Sequence, residues 1–368
     1  MTVGVGKSIT KICGKDVLIA DPDAKTIIIV SAYMAEGCDP GKIDLVAREI
    51  EAVPDTVIIS IDPNRKYNRT NLIWGGPPEA VLESALRFAS AALANIDMRQ
   101  AGAESALFGA IDLVSFLPLH SREMPRVVKL SKQYAREIAR QFDLPVYLFG
   151  FSTRAAQKKN LNFFRQYAYR DLSELIDKPR WKPDYGPRQW QAASGACIVG
   201  ARYYHINLAL YFDTEEVDLI NQLSEHYQTQ ARNGVNPPGA DAHQQALRLL
   251  GRVKMAADKL PDEKIVRLIC NISDYLDTPL APVIKAIREE ARKLGIEVVG
   301  CEILGYLPAE ALVNAGRRFL AESAPRFRED KLRYITLALQ NLQLSSIMPF
   351  DLNRQVLDYH FEIDLDHV

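Results

Sequence analysis

Residues 26–33, TIIIVSAY, form an almost unbroken apolar run, the pattern of a buried strand. Over 40–53 the hydrophobic positions change period: Ile43, Leu45, Val46 and Ile50 fall at helical spacing. A second strand is predicted over 56–62 (TVIISID) and a third over 69–75 (RTNLIWG). The strongest helical signal covers 77–96. It has proline in the first turn, Glu79 near the positive helix end, and Val81, Leu82, Ala85, Leu86, Ala89, Leu93 and Ile96 along one stripe. A fourth strand follows at 110–118 (AIDLVSFLP), then a helix over 122–142 and a strand over 145–151.

The same order of elements returns in the second half with different residues: strands at 203–212, 251–258, 264–272 and 296–303, helices at 214–231 and 280–294. Element order alone therefore predicts an α+β fold of two ferredoxin-like (βαββαβ) subdomains joined through an extended sheet. Between the halves, DKPRWKPDYGPRQWQAASGA (177–196) is polar and irregular, and reads as either a linker or a binding segment. The stretch ARNGVNPPGADAHQQ (231–245) reads as an exposed loop. The predicted divisions are an N-terminal extension over 1–25, an N-terminal subdomain over 26–202, a C-terminal subdomain over 203–350 and a tail over 351–368.

Composition narrows the function classes. Hydrophobic residues make up 48% and charged residues 25% of the 368, with a net charge of -1, so the basic excess of nucleic-acid binders is missing. No stretch has the apolar length of a membrane span, and the start lacks a continuous apolar signal region, which leaves a cytoplasmic protein as the expectation. Cys13, Cys38, Cys197, Cys270 and Cys301 are scattered and never form C-x-x-C, suggesting reduced thiols rather than disulfides or zinc. His120, His205, His226, His243, His360 and His367 show no metal-ligand spacing, so no metal is expected. GVGKS (4–8) fails as a phosphate loop because the first glycine of that motif would fall on Met1 and no strand precedes it.

Candidate chemistry lies at strand ends. Asp62 closes the second strand and opens DPNRKYNRT, where it is either a turn former or a carboxylate facing a site. Asn68 and Arg69 in the same loop are equally ambiguous. The stretch IDMRQAGAESALFGAIDL (96–113) separates the strongest helix from a strand by small and polar residues, and is either a connector or an active-site loop.

A set of strings settles more. NRT, GGPPEAVLESALRFA, IDM, FGAIDLVSFLP, LPVYLFG, WKPDYGP, SGACIVGAR, EARKLGIEVVGCEILGYLPAEAL and MPF occur in the order and rough spacing of the formiminotransferase module. The chain resembles that family from about Ile28 to Phe350. The resemblance implies two ferredoxin-like halves, a homodimer, and a folate-dependent transfer of a formimino group between formiminoglutamate and tetrahydrofolate. The partners implied are folate and an amino-acid one-carbon donor. On this resemblance the cyclodeaminase part of the bifunctional relatives is expected to have no counterpart in these residues.

The family's catalytic histidine stands in a G-E-H-P-R-x-G-A loop. Here that loop reads AESALFGA, with Glu104 kept and Ser105 where the histidine belongs. Serine does not titrate near neutrality and cannot act as the imidazole does; losing such a base costs roughly a hundred- to ten-thousand-fold in rate. Tyr33 replaces an asparagine ahead of the retained Glu36 and Gly37, and Ala209 and Tyr211 replace the family's N-x-N. By resemblance Asp62 falls on the active-site aspartate, and Gly186, Pro187, Arg188, Gln189, Trp190 and Gly195 fall in the folate-contacting segment. Glu104 is either a carboxylate with a raised pKa in a cleft or a solvated loop residue. His205, at the start of the second half, is either near the site or a satisfied strand-end histidine, and His120 is remote. The first expectation is a tetrahydrofolate-dependent formimino or formyl transferase with altered chemistry. A non-catalytic folate or metabolite binder, acting as a pseudoenzyme or complex subunit, is the alternative, and ordinary glutamate formiminotransferase activity ranks last.

Overall fold

The protein's structure, a computed structural model, describes residues 8–12, 15–19, 26–100, 107–232, 248–260, 264–321 and 331–361. Near the N-terminus β1 (Ser8–Ile12) and β2 (Lys15–Ile19) pair antiparallel, with Ser8 opposite Ile19. The chain divides into two compact units, meeting in sequence at Arg202 and Tyr203, and this hairpin groups with the second.

In the first unit β3 (Ile28–Met34), α1 (Pro40–Glu51), β4 (Val57–Asn64), β5 (Arg69–Gly76), α2 (Pro78–Asn95), β6 (Ile111–Pro118), α3 (Met124–Phe142), β7 (Val146–Gly150), the single turn α4 (Leu172–Leu175) and β8 (Cys197–Ala201) follow one another. Local chemistry explains their limits. Asp39 caps α1 by accepting from the backbone N–H groups of Gly41 and Lys42, with Pro40 at the first helical position. Asp143, at φ 51°, turns the chain left-handed and ends α3.

The six strands lie in the order β4-β5-β3-β6-β8-β7, antiparallel up to β6, with β8 parallel to both of its neighbours. Strand alternation gives the sheet two faces. Val30, Trp74 and Phe116 share a register row on the face covered by helices: Trp74 donates through its indole to Ser84 of α2 and Phe116 packs on Tyr134 of α3 at 5.3 Å. The opposite face carries the row Asp62–Asn71–Tyr33–Leu113–Ile198–Tyr147. Its β6-β8-β7 part is covered by residues 161–181, where Phe163, Phe164, Leu172, Leu175 and Trp181 pack on Leu113, Ile198, Tyr147 and Phe149.

The second unit contains β9 (Ile206–Phe212), α5 (Val217–Arg232), β10 (Lys254–Lys259), β11 (Val266–Ile272), α6 (Leu280–Lys293), β12 (Val298–Leu304), α7 (Ala309–Ala321), α8 (Lys331–Leu342) and the short α9 (Leu352–Gln355). Its sheet has the order β10-β11-β9-β12, all antiparallel. In both units the four strands of the βαββαβ run therefore lie in the order second, third, first, fourth. One face of this sheet, with Leu208, Leu210, Leu268 and Ile303, is fully buried in the unit's core.

Two sequence expectations change, and the open choice at 177–196 is narrowed. The sheet extension foreseen between the halves is made by β7 and β8 within the first unit, and the second unit's strands form a sheet of their own. The irregular stretch 177–196 is part of the first unit, tied to β7 by hydrogen bonds from the Val146 and Leu148 N–H groups to Tyr185 O and the Asp184 carboxylate. The segment set aside as a tail is packed as far as residue 361: Val356 N–H donates to Leu352, Leu357 N–H to Leu307, and Asp358 is fully buried. Most of the loop read at 231–245 lies outside the described residues, as do residues 1–7, which hold most of GVGKS.

Candidate functional site

One end of the six-stranded sheet, where β3 and β4 finish and β5, β6 and β8 begin, gathers most of the polar residues singled out in the sequence. Asp62 on edge strand β4 stands opposite Asn71 of β5, which stands opposite Tyr33 of β3. Ser60 Oγ donates to Asp62 Oδ2 at 2.9 Å, and Ser31 Oγ donates to Asn71 Oδ1 at 3.1 Å, so the adjacent row is polar too. All of these lie on the face away from the helices, beyond the aromatic covering.

The turn after β3 is firmly built. The Glu36 carboxylate accepts from the N–H groups of Cys38 and Asp39 at 2.9 and 3.0 Å, and Thr70 Oγ1 donates to Glu36 O at 2.5 Å. Gly37 N–H donates to Asn68 Oδ1 at 2.9 Å. A side chain at Gly37 has no room, since a Cβ there would stand 2.6 Å from Arg69 N. The retained Glu36 and Gly37 thus fix the backbone on which Tyr33 and Arg69 are mounted. Arg69 lies over the Tyr33 ring at 5.5 Å and over Tyr67 at 5.4 Å.

Next to Tyr33 is a pair the sequence reading missed. Asp112, at a bulge in β6 and with no solvent exposure, accepts from both terminal nitrogens of Arg165 at 2.9 and 2.6 Å and from Phe108 N–H at 2.7 Å. Burial works against the Arg165 charge, but the Asp112 carboxylate outweighs it and, with a smaller contribution from Tyr33, holds the guanidinium above its usual pKa. Asp112 was legible only as a polar interruption of an apolar strand, and Arg165 carried no signal.

Glu104 and Ser105 lie outside the described residues. The flanks of their loop do not. Met98 N–H donates to Ala193 O at 2.8 Å and Ala110 N–H to Ser194 O at 2.9 Å; Ala196 N–H donates to Phe108 O at 3.1 Å, and Gly109 bridges to Gly195. Tyr169 N–H donates to Leu107 O at 2.8 Å and its hydroxyl donates to Ala192 O. Residues 192–196 therefore clasp both ends of the loop. Gly186 follows Tyr185 on the edge of β7, and Arg188 donates to Ile176 O at 3.1 Å and to Asp177 O. Pro187 and Gln189 lie between these anchors and Trp190. Trp190 is 36% exposed and leans on Tyr169 at 5.6 Å. Asp97 and Arg99 pair at the loop's first flank, and Arg99's hydrogen bonds hold the Asp97 carboxyl below its usual range.

Asp62 is not close to Gly195. Four strand intervals separate β4 from β8, roughly 19 Å at the usual spacing. The site residues read from sequence thus fall in two groups along one end of the sheet, with Tyr33, Asp112 and Arg165 between them.

In the second unit, Ala209 and Tyr211 share a sheet face with Asn207, Arg267, Asn271 and Glu302. Asn271 Nδ2 donates to Asn207 Oδ1 at 2.7 Å, Arg267 donates to both Asp258 oxygens at 2.9 and 2.6 Å, and the Tyr211 hydroxyl donates to Glu302. Burial and the Glu302 carboxylate push the Tyr211 phenol up to about 12. His205 is half-buried just ahead of β9, and His120 is buried after β6. Among the described residues, no group of three or more His, Cys, Asp or Glu could hold a metal ion, no helix is long and apolar enough to cross a membrane, and Cys38, Cys197, Cys270 and Cys301 are free.

The arrangement suits a ligand that is flat and aromatic in one part and acidic in another: Trp190 offers a half-exposed ring, and Arg69 a guanidinium with no carboxylate partner among the described residues. Comparison with known proteins identifies the family. The model of the formiminotransferase domain's N-terminal subdomain matches residues 27–202, and that of the formiminotransferase domain matches residues 239–362. The chain is 28% identical over 333 residues to a formimidoyltransferase-cyclodeaminase of Dictyostelium discoideum, covering 90% of this chain and 59% of that protein. It is 29% identical over 327 residues to the protein of that name from Mus musculus, covering 88% and 58%. A glutamate formimidoyltransferase of Streptococcus pyogenes serotype M1 is 24% identical over 286 residues, covering 78% of this chain and 90% of that one. The chain thus spans under two thirds of the length of the two longer relatives.

Proposed function

The chain belongs to the formiminotransferase family, and from that premise we propose that it is a folate-dependent one-carbon transferase, acting on a formimino or formyl group with an amino-acid donor. The observation that carries the reading is the clasp of residues 192–196 on both flanks of the loop 101–106, which ties the proposed folate segment to the loop where the family keeps its base. In this reading Gly186, Pro187, Arg188, Gln189, Trp190 and Gly195 hold tetrahydrofolate, with Trp190 against its aromatic part and Arg69 available to an acidic part. Tetrahydrofolate supplies the nitrogen that accepts the one-carbon group. Asp62 and Asn71 orient the donor through hydrogen bonds from the open sheet face, and by resemblance Glu104 and Ser105 occupy the sequence positions of the family's catalytic loop.

Each unit is read as a ferredoxin-like domain, since second-third-first-fourth is the strand order of that split βαβ arrangement. The protein is proposed to be a cytoplasmic homodimer, which light scattering on the purified chain tests for its assembly.

Titrating tetrahydrofolate into the protein by calorimetry tests the binding claim, and absence of binding removes it. Formimino transfer from formiminoglutamate, measured on wild type and Ser105→His, tests the chemistry. Wild-type turnover is expected, with a higher rate in Ser105→His. The replacement of histidine by Ser105 also supports a second, non-catalytic reading, in which tetrahydrofolate binds and only Ser105→His turns over.

A further inference from the structure

Tyr33 has features that the reading above leaves unused. Its hydroxyl has no hydrogen-bond partner among the described residues, although neighbouring side chains on the same face, such as Ser31, Asn71, Ser60 and Asp62, are hydrogen-bonded. The ring is half-buried and fixed: it packs on the edge of the aromatic cluster, sits at the end of β3 in register with Asn71 and Leu113, and has the Arg69 guanidinium over it at 5.5 Å. In the same part of the sheet face Arg165 is held by the buried carboxylate of Asp112, which also accepts from Phe108 N–H. The Tyr33 hydroxyl is thus an unengaged proton-bearing group of this face, on a ring held in place by Arg69, and a positioned tyrosine can serve as a general acid and base.

We propose that Tyr33 is the proton carrier of the one-carbon transfer, a claim that rests on the folate-transferase reading. Tyr33 gives its hydroxyl proton to the donor nitrogen as the bond between that nitrogen and the one-carbon unit breaks. It recovers a proton from the acceptor nitrogen as the new bond to the same carbon forms. The acceptor loses one proton, the donor gains one, and the phenol is regenerated. Arg69 is the positioning residue for this step, holding the ring from above. This moves the proton-transfer role from the loop of Ser105 to a strand of the sheet.

The test combines spectroscopy, binding and turnover. In protein carrying carbon-13 at the tyrosine ζ position, the resonance of Tyr33 is the one missing from Tyr33→Phe. It is expected to move when tetrahydrofolate is added. Tyr33→Phe should lower kcat for formimino transfer about a hundred-fold or more while calorimetry finds its tetrahydrofolate affinity unchanged. Tyr33→His, which restores a titratable group, should recover part of the rate. A Tyr33 resonance that stays in place, or a Tyr33→Phe protein that keeps wild-type kcat, overturns the proposal. Wild type that binds tetrahydrofolate but does not turn over overturns it too and leaves the folate reading intact; wild type that does not bind removes both.

Discussion

Asp112 shows how much one side chain can organise. Its carboxylate is fully buried and takes three donors, two from Arg165 and one from Phe108 N–H, so it links β6, the segment over the aromatic cluster and the end of the loop. Removing the charge leaves Arg165 short of its counter-ion in a low-dielectric setting, though Arg165 itself is 31% exposed and partly hydrated. Asp112→Asn should therefore destabilise by about 2–3 kcal/mol, read as a lower urea midpoint at unchanged slope. Asp112→Asn with Arg165→Met should recover part of that loss, because the second change removes the stranded charge. A double variant no more stable than Asp112→Asn would show that the pair is not coupled. Nothing in the sequence announced this contact: the partners are 53 residues apart, and Arg165 lies in a stretch without periodicity. Tyr33 was visible only as a departure from a pattern, and its setting beside Asn71, Leu113 and Arg69 is a product of strand register.

At the level of elements, the strands and helices with a clear hydrophobic period were legible in both units, usually to within a few residues. β8 was not, because five apolar residues after Ser-Gly gave too little pattern against the Pro- and Trp-containing stretch before them. Its parallel pairing with β6 and β7 is what brings Gly195 to Gly109. Gly195 is the hinge of that clasp. It has φ 71°, and a Cβ there would stand 2.6 Å from Phe108 O. Gly295 has a similar φ of 73° with nothing within 4 Å. Gly295→Ala should thus cost only the left-handed backbone penalty, about 1–2 kcal/mol. Gly195→Ala should cost more, since the clasp must also open. Thermal melts of the two variants separate the effects, and equal shifts would contradict the steric argument. On the folate reading, Gly195→Ala also weakens tetrahydrofolate binding in calorimetry while Gly295→Ala does not. Trp190→Ala should weaken it about tenfold, as expected when one stacked ring is lost.

At the scale of the whole chain, the C-terminal segment makes its stability depend on pH. Reading 351–368 as a tail missed this because a polar terminal sequence hides one buried carboxylate: Asp358 follows Val356 and Leu357 into the second unit, where it accepts from Ala309 N–H at the start of α7 at 2.7 Å. Helices α7 and α8, which make that environment, lie beyond the four-strand pattern that guided the sequence reading. Burial is the main cause that raises Asp358 to about 7, with Glu310 adding to it and the Ala309 hydrogen bond and Lys331 opposing. An unfolded aspartate titrates near ~3.9, so between that value and the folded one the native state holds the extra proton. The stability this group contributes is fully present below the unfolded value and is lost as pH rises through the folded one. Wild type should therefore melt progressively lower as pH rises across this window. Asp358→Asn keeps an oxygen for Ala309 N–H but cannot ionise, so its melting temperature should fall less over the same range, and the two curves should diverge most at the alkaline end. Parallel curves would show that Asp358 is already ionised in the folded protein at acidic pH and that its burial is offset by partners strong enough to hold the charge.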